Sequence, residues 1–398
     1  MKVLFTIWTY NEGIGGHYQS FISTLNSLDK SKIEYYVINL GNNKAISLYD
    51  KEFEVLFYQV SIFNQYHLEK KLKKIIELKK IDVVHCYDYH SYFFVRKASL
   101  PILVTYPGGS NNKWFPIVEN ALMFSQENYH HFSKLSEFKK TRFYLLTNRV
   151  DRIFQDNQKI KKILAEYKSS GIVLLKVARI GKYYENSIQS SIDIATKLFN
   201  EGIDNTLFII GYVEDENVRN QILNRIKNCK NNIHLLTNKY YTSNANSLIQ
   251  IADILFGTGR GIMEGLSFGK IVLSPVNNGN NHVVVNEDNI NFLEFHNFSE
   301  RAIIKDFEDL TNQIRSFFVD SRKKNNYTIW AQGIFGERYS TVNITPLLIN
   351  IYNSLQFNTS IRNKQIIRFS MKIFRFIIIS SLKRLIVCIR GYSRFYYL

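Results

Sequence analysis

The sequence predicts an α/β protein: two Rossmann-like parallel α/β domains facing each other across a cleft, followed by a C-terminal amphipathic helical tail. Three observations carry this. Strand-like and helix-like patterns alternate up to Thr147 and begin again at Ile172, as parallel sheets with crossover helices require. Residues 1–28 and 252–275 each read as an apolar strand, a glycine-rich turn and a helix, the unit that places a ligand at the carboxyl ends of a parallel sheet. The polar, charged run 156–170 separates the two series and reads as an interdomain connection.

Taken in order, residues 1–8 form an apolar strand, Gly13-Ile-Gly-Gly16 a turn, and 17–28 a helix. Strands follow at 34–40 and 53–60, then a basic amphipathic helix at 66–80 whose lysines are read as a solvated face. Residues 81–86 and 102–106 are short apolar runs of the buried-strand type, and 143–147 closes the first series. The second series reads as strand 172–178, helix 186–199, strand 206–210 ending in Gly211, helix 214–226, strand 232–236 and helix 245–252. The glycine turn at 257–261 comes next, between strands 253–256 and 271–274, with helices at 306–318, 325–339 and 346–355. The boundaries are therefore placed at 1–165, 166–340, a helix at 341–360 that packs back on the first domain, and a tail at 361–398.

With 398 residues, 45% of them hydrophobic and 14% aromatic, the chain can bury a large core and is no disordered polymer. Three widely spaced cysteines make neither a disulfide framework nor a zinc signature and fit a reducing compartment. The apolar opening is short and runs at once into Asn11 and Glu12, so no leader is expected there. The net charge is +17, yet nine Lys/Arg and no acid lie beyond residue 360, leaving +8 for the rest. Lys364, Arg368, Lys372, Arg375 and Lys383 fall on one face of a helix otherwise rich in Ile, Phe, Leu and Val. That pattern is expected to lie in an anionic membrane surface rather than on nucleic acid. The longest uncharged run, 376–382, is far below the roughly 20 residues needed to span a bilayer.

The stretch 252–275 holds the densest candidate chemistry. Gly257, Gly259 and Gly261 let backbone N–H groups approach a ligand, and the helix that follows favours an anion at its start. Glu264 lies on its first turns, where a carboxylate can accept from sugar hydroxyls or merely complement the helix dipole. Arg260 either holds phosphate or sugar oxygens through its planar fork or pairs with Glu264.

Four segments, in order, resemble retaining glycosyltransferases of the GT-B fold, specifically glycosyltransferase family 4 (glycosyl transferases group 1). They are Gly13-Ile-Gly-Gly-His17, Asn148-Arg-Val-Asp-Arg-Ile-Phe154, Val177-Ala-Arg-Ile-Gly-Lys182, and the stretch containing Glu264 and Gly269-Lys270. The resemblance implies a nucleotide-sugar donor, with Arg179 and Lys182 on its diphosphate, Glu264 on the ribose, and Gly15 and Gly16 offering helix amides from the first domain. Gly211, Gly257, Thr258, Gly259, Arg260 and Gly261 would shape the donor pocket. From the residues alone, Lys182 is equally a solvated loop cation, and Gly15-Gly16 equally a tight turn.

The sequence also departs from the family. Phe256 stands where the first of a glutamate pair is expected, and Pro107 where many members carry a histidine. His17, His85, Asp88 and His90 are acceptor-side candidates, each with an alternative as an ordinary hydrogen-bonded structural group. No Asp-x-Asp triplet is present, so no metal or other cofactor is expected. The function expected is sugar transfer to a lipid-linked glycan in bacterial capsule, O-antigen or lipopolysaccharide synthesis, by a cytoplasmic protein held peripherally at the membrane. A GT-B-fold sugar-nucleotide epimerase and a degenerate binding or scaffold subunit are the alternatives.

Overall fold

The computed structural model describes residues 1–358 other than 11, 12, 50–52, 62, 152, 168 and 307, and beyond 358 only Arg375 and Ile378. The tail assigned above to membrane association, 361–398, thus lies almost wholly outside the described residues. Among the described residues no helix is long and apolar enough to cross a membrane. The chain divides into two compact units, Met1–Thr147 with Thr341–Leu398, and Asn148–Ser340.

The first unit is built on seven strands: β1 (Lys2–Thr9), β2 (Glu34–Gly41), β3 (Val55–Gln59), β4 (Val83–Cys86), β5 (Ile102–Tyr106), β6 (Asn120–Met123) and β7 (Arg142–Leu145). They pair in the order β3-β2-β1-β4-β5-β6-β7, every pair parallel. Strand β1 feeds two cores, Val3, Phe5 and Ile7 into one and Leu4 and Trp8 into the other. A parallel strand covered on both faces has to be apolar almost throughout. The sequence reading left 107–142 without an element, but the chain there forms β6 and the helix Gln126–Lys134. Four residues, Asn120-Ala-Leu-Met123, are too few to display a period.

The helix Ile344–Asn353 completes this unit by burying Ile344, Leu348 and Tyr352 with Phe5, Phe21 and Tyr87. Just beyond it Gln356 exchanges hydrogen bonds with Asn120, its N–H donating to Oδ1 (3.0 Å) and its carbonyl accepting from Nδ2 (2.9 Å).

The second unit carries β8 (Ile172–Val177), β9 (Asn205–Ile210), β10 (Asn232–Leu236), β11 (Ile254–Phe256), β12 (Ile271–Val276) and β13 (Asn281–Val284). Their order is β10-β9-β8-β11-β12-β13. All pairs are parallel except β12 with β13. The run 156–170, expected as a connection, is largely the helix Asn157–Glu166. Asp156 caps it by accepting from Lys159 N (3.0 Å), and Ile163 is buried with Val173, Leu175 and Phe208 of the second sheet. The unit boundary accordingly falls after Thr147, not near 165. One buried residue in an otherwise charged helix is easily mistaken for a linker.

In both sheets the chain order turns about a single strand: β1 lies between β2 and β4, and β8 between β9 and β11. The carboxyl ends at such switch points are where open α/β sheets bind ligands. Of the segments singled out in the sequence, those at Gly13, Arg179 and Gly257 follow β1, β8 and β11, the stretch 88–90 follows β4, and 148–154 follows β7.

Candidate functional site

At the second unit's switch point the turn after β11 leads into the helix Arg260–Ser267. Gly259 has φ 53, and a Cβ on Gly257 would lie 2.8 Å from Ile262 N, so both positions call for glycine. The turn is braced rather than open. The N–H groups of Gly257, Gly259, Gly261 and Ile262 donate to the carbonyls of Leu273 (3.0 Å), Phe298 (3.0 Å), Thr258 (3.0 Å) and Gly259 (3.1 Å). This corrects the expectation that the glycine amides cradle the ligand, because a tight turn has already paired them. The glycines act instead by leaving room: a Cβ on Gly261 would meet nothing within 4 Å.

Charged side chains supply the chemistry here. Arg260 donates from Nε to Glu264 Oε1 (3.2 Å) and from Nη1 to the carbonyl of Arg149 (3.0 Å). The two side chains of this pair are only 11% and 10% exposed. Burial pushes the Glu264 carboxyl above the usual glutamate range, with Arg260 and Asn246 opposing it. The Arg260 fork is thus fixed between a carboxylate and a carbonyl, the ion-pair arrangement of its two sequence readings. Thr258 Oγ1 is buried without a hydrogen-bond partner among the described residues.

Arg179, just past β8, lies over the Tyr184 ring (5.3 Å to the centroid) and pairs with Glu214 (3.2 Å). Burial works against its charge, but Tyr184, Tyr212 and Glu214 outweigh it and raise its pKa. Both partners of the Glu214 pair are 39% exposed, so that pair is weak and can yield to a phosphate. Lys182 is exposed on the turn before the helix Glu185–Asn200. Gly211 allows β9 to end against β8, since a Cβ there would come within 1.7 Å of Ala178 O.

In the first unit the helix Gly16–Asn26 starts at Gly15, whose φ is 122 and whose Cβ would meet nothing within 4 Å. The first N–H groups of a helix have no partner within it, and the open space at Gly15 leaves the backbone of this start accessible. His17 Nε2 lies 3.8 Å from Asp88 Oδ2. Asp88 is buried and accepts from Trp8 N (2.6 Å) and Ser91 N (2.8 Å). Burial raises its pKa, but His17, His90 and the Ser91 N–H more than reverse this and hold the carboxylate charged. His90 Nδ1 meets Tyr10 OH at 2.5 Å, and its ring stacks on Tyr89.

His85 does not join this group. It is 1% exposed, and both ring nitrogens are engaged, with Tyr352 OH (2.8 Å) and Thr105 Oγ1 (2.7 Å). Burial pushes its pKa down to about 3. It is a core histidine, the structural alternative admitted for it from sequence. It lies in β4, all four of whose residues are buried, with its ring against Phe5 and Tyr87.

Sequence reasoning missed Asn246, which donates to Glu264 Oε1 (3.5 Å), and Glu214, Tyr184 and Tyr212 around Arg179. None sits in a recognisable motif. It also missed a polar group beneath the braced turn. Lys176 is 1% exposed, its Nζ lacks a hydrogen-bond partner among the described residues, and its pKa is pushed down to about 8 by burial. It pairs in register with Phe256, whose ring meets His282 edge-on (5.1 Å between centroids).

No family model matches the chain, and no curated protein matches it in sequence. Solved structures do. A glycosyltransferase from Rickettsia africae has a TM-score of 0.63 at 17% identity, over 91% of this chain and 99% of that one. The Anabaena protein HepE, solved with UDP and glucose, has a TM-score of 0.61 at 14% identity, over 89% of this chain and all of that one. Sucrose-phosphate synthase from Thermosynechococcus elongatus gives 0.57 at 10% identity, over 88% and 98%. These likenesses establish that the chain has the GT-B fold.

Proposed function

We propose that the protein is a glycosyltransferase that moves a sugar from a nucleotide-diphosphate donor to a lipid-linked glycan acceptor in bacterial surface polysaccharide synthesis. The observation that supports this most directly is the gathering of Arg179 and the buried Arg260–Glu264 pair at one sheet's switch point. Breaking the bond between the anomeric carbon and the phosphate oxygen develops negative charge on the leaving diphosphate. Fixed cations aimed at that charge lower the barrier, a role for Arg179 and Lys182. Glu264 accepts from the ribose hydroxyls while Arg260 holds its carboxylate in place.

In this reading transfer is retaining and needs no metal. The acceptor oxygen attacks from the face the phosphate leaves, the new carbon–oxygen bond forms there, and a phosphate oxygen takes the hydroxyl proton. His17, backed by Asp88, and His90, backed by Tyr10, lie on the acceptor side. The protein works at the cytoplasmic face of the membrane, attached through residues 361–398.

A calorimetric panel of nucleotide sugars, followed by transfer assays with membrane-extracted acceptors, tests the reading. One nucleotide-diphosphate sugar is expected to bind, and its anomeric configuration to be kept in the product. Binding of none, or near-normal turnover by both Arg179→Ala and Glu264→Ala, overturns it.

A further inference from the structure

The helix Gln65–Lys79 of the first unit buries one stripe, Leu68, Leu72 and Ile76. Its other side exposes four lysines (Lys70, Lys71, Lys73 and Lys74) and a single acid, Glu77, whose carboxylate is 3.9 Å from Lys73 Nζ. Glu69 adds no free negative charge, since it is held by Arg96 (2.7 Å) and Lys97 (2.7 Å). Solvation alone accounts for a lysine-rich face, but not for the apolar groups set among these lysines. Phe63, just before the helix, is 97% exposed, Tyr66 67% and Leu78 70%. At 100° per residue Tyr66, Lys70, Lys73, Lys74 and Leu78 share one side of the helix, opposite the buried stripe. Beside it a groove of about 110 Å³ is floored by Ile76, Phe94 and Val95 and rimmed by Lys70, Lys73 and Lys97.

We infer that this face docks on an anionic phospholipid surface, with the lysines at the headgroup phosphates and Phe63, Tyr66 and Leu78 in the interfacial layer. Aromatic side chains favour that layer because it is apolar on one side and wet on the other. Lysine stems cover apolar surface while their ammonium groups stay in water. Nucleic acid would use the lysines equally well and could stack bases on Phe63 and Tyr66, but gives no comparable return for exposing Leu78. The inference uses no residue of the tail or of the glycine turn after β11, and it stands or falls independently of the transfer reaction.

The test is vesicle partitioning of the full chain, on phosphatidylglycerol–phosphatidylcholine vesicles and on phosphatidylcholine alone. Each lysine at an anionic surface is worth about fivefold in partitioning. Lys70→Glu/Lys73→Glu/Lys74→Glu is therefore expected to lower partitioning onto the anionic vesicles at least tenfold. Phe63→Ser/Tyr66→Ser should lower it severalfold at a salt concentration that screens the charges. All these positions are exposed, and unchanged nucleotide-sugar binding and melting temperature would show that fold and donor site are intact. Partitioning unchanged in both variants overturns the inference. So does loss of binding to a single-stranded RNA probe by the lysine variant with vesicle partitioning unaltered, which would assign the face to nucleic acid.

Discussion

The two glycine turns of this protein share a sequence pattern and differ in what they do with it. After β1, Gly15 is open around its α-carbon and leads into an eleven-residue helix whose first amides have no partner within the helix. After β11, the amides of Gly257, Gly259 and Gly261 are already bonded to chain carbonyls, and the short helix that follows brings a buried Arg–Glu pair. One turn offers backbone dipoles and the other offers formal charges on rigid supports. A strand–glycine–helix pattern therefore locates a ligand end of a sheet without saying which groups meet the ligand.

The largest expected effect tests whether charge in the second unit carries the chemistry. Arg179→Ala should lower kcat by about 10²–10³-fold, the usual cost of losing one group that stabilises developing charge, with the circular-dichroism spectrum unchanged. A loss below threefold would mean that the diphosphate is met elsewhere.

The strand that pairs with β11 can be probed through its buried Lys176. Its folded pKa of about 8 is below the ordinary lysine value of 10.5. The folded state therefore binds fewer protons between those values, and stability should rise with pH across that window. Below it, both states are protonated and the folded chain bears the full cost of the buried charge. Lys176→Met is expected to stabilise the protein at pH 7 by on the order of 3 kcal/mol and to flatten the alkaline rise, as read by denaturant titration at several pH values. A destabilised variant would show that the ammonium is bonded to something the apolar side chain cannot replace.

Glu264→Gln keeps the shape and removes the charge. Donor KM should rise about 10–100-fold, the worth of a hydrogen bond to a charged group. In the parent protein donor binding should weaken as pH falls, beginning above the usual glutamate range because burial raises this carboxyl. That dependence should vanish in the variant, and its persistence would assign it to another group.

The smallest contrast separates two histidines of the first unit. His17→Ala should raise acceptor KM about tenfold with little change in melting temperature. His85→Ala should do the reverse, costing about 1–3 kcal/mol for the unpaired Tyr352 and Thr105 hydroxyls while leaving KM alone. Identical behaviour would mean that the sequence was right to group them.

Most of the fold was legible because parallel strands covered on both faces must be apolar runs, and β1, β5, β8 and β9 stand out as such. What escaped was short or locally ambiguous. β6 has four residues, and the helix Asn157–Glu166 shows one buried side chain among charges. Both owe their existence to partners distant in the chain. Of the candidate site, Arg179, Arg260 and Glu264 could be named from their places after apolar strands. Asn246 and Glu214 could not, since a single Asn or Glu on a polar segment carries no signal until the fold brings it alongside.

The sequence by itself determined the two parallel α/β series, the two glycine turns and the charged residues that follow them, because periodicity and turn chemistry are local properties. Tertiary structure decided what those residues are free to do. It bonded the Gly257, Gly259 and Gly261 amides to chain carbonyls, turned His85 into the core while leaving Asp88 beside His17, and buried Lys176 in register with Phe256. Hydrogen-bond satisfaction and desolvation depend on what the rest of the chain packs against each group, and no stretch of sequence contains that information.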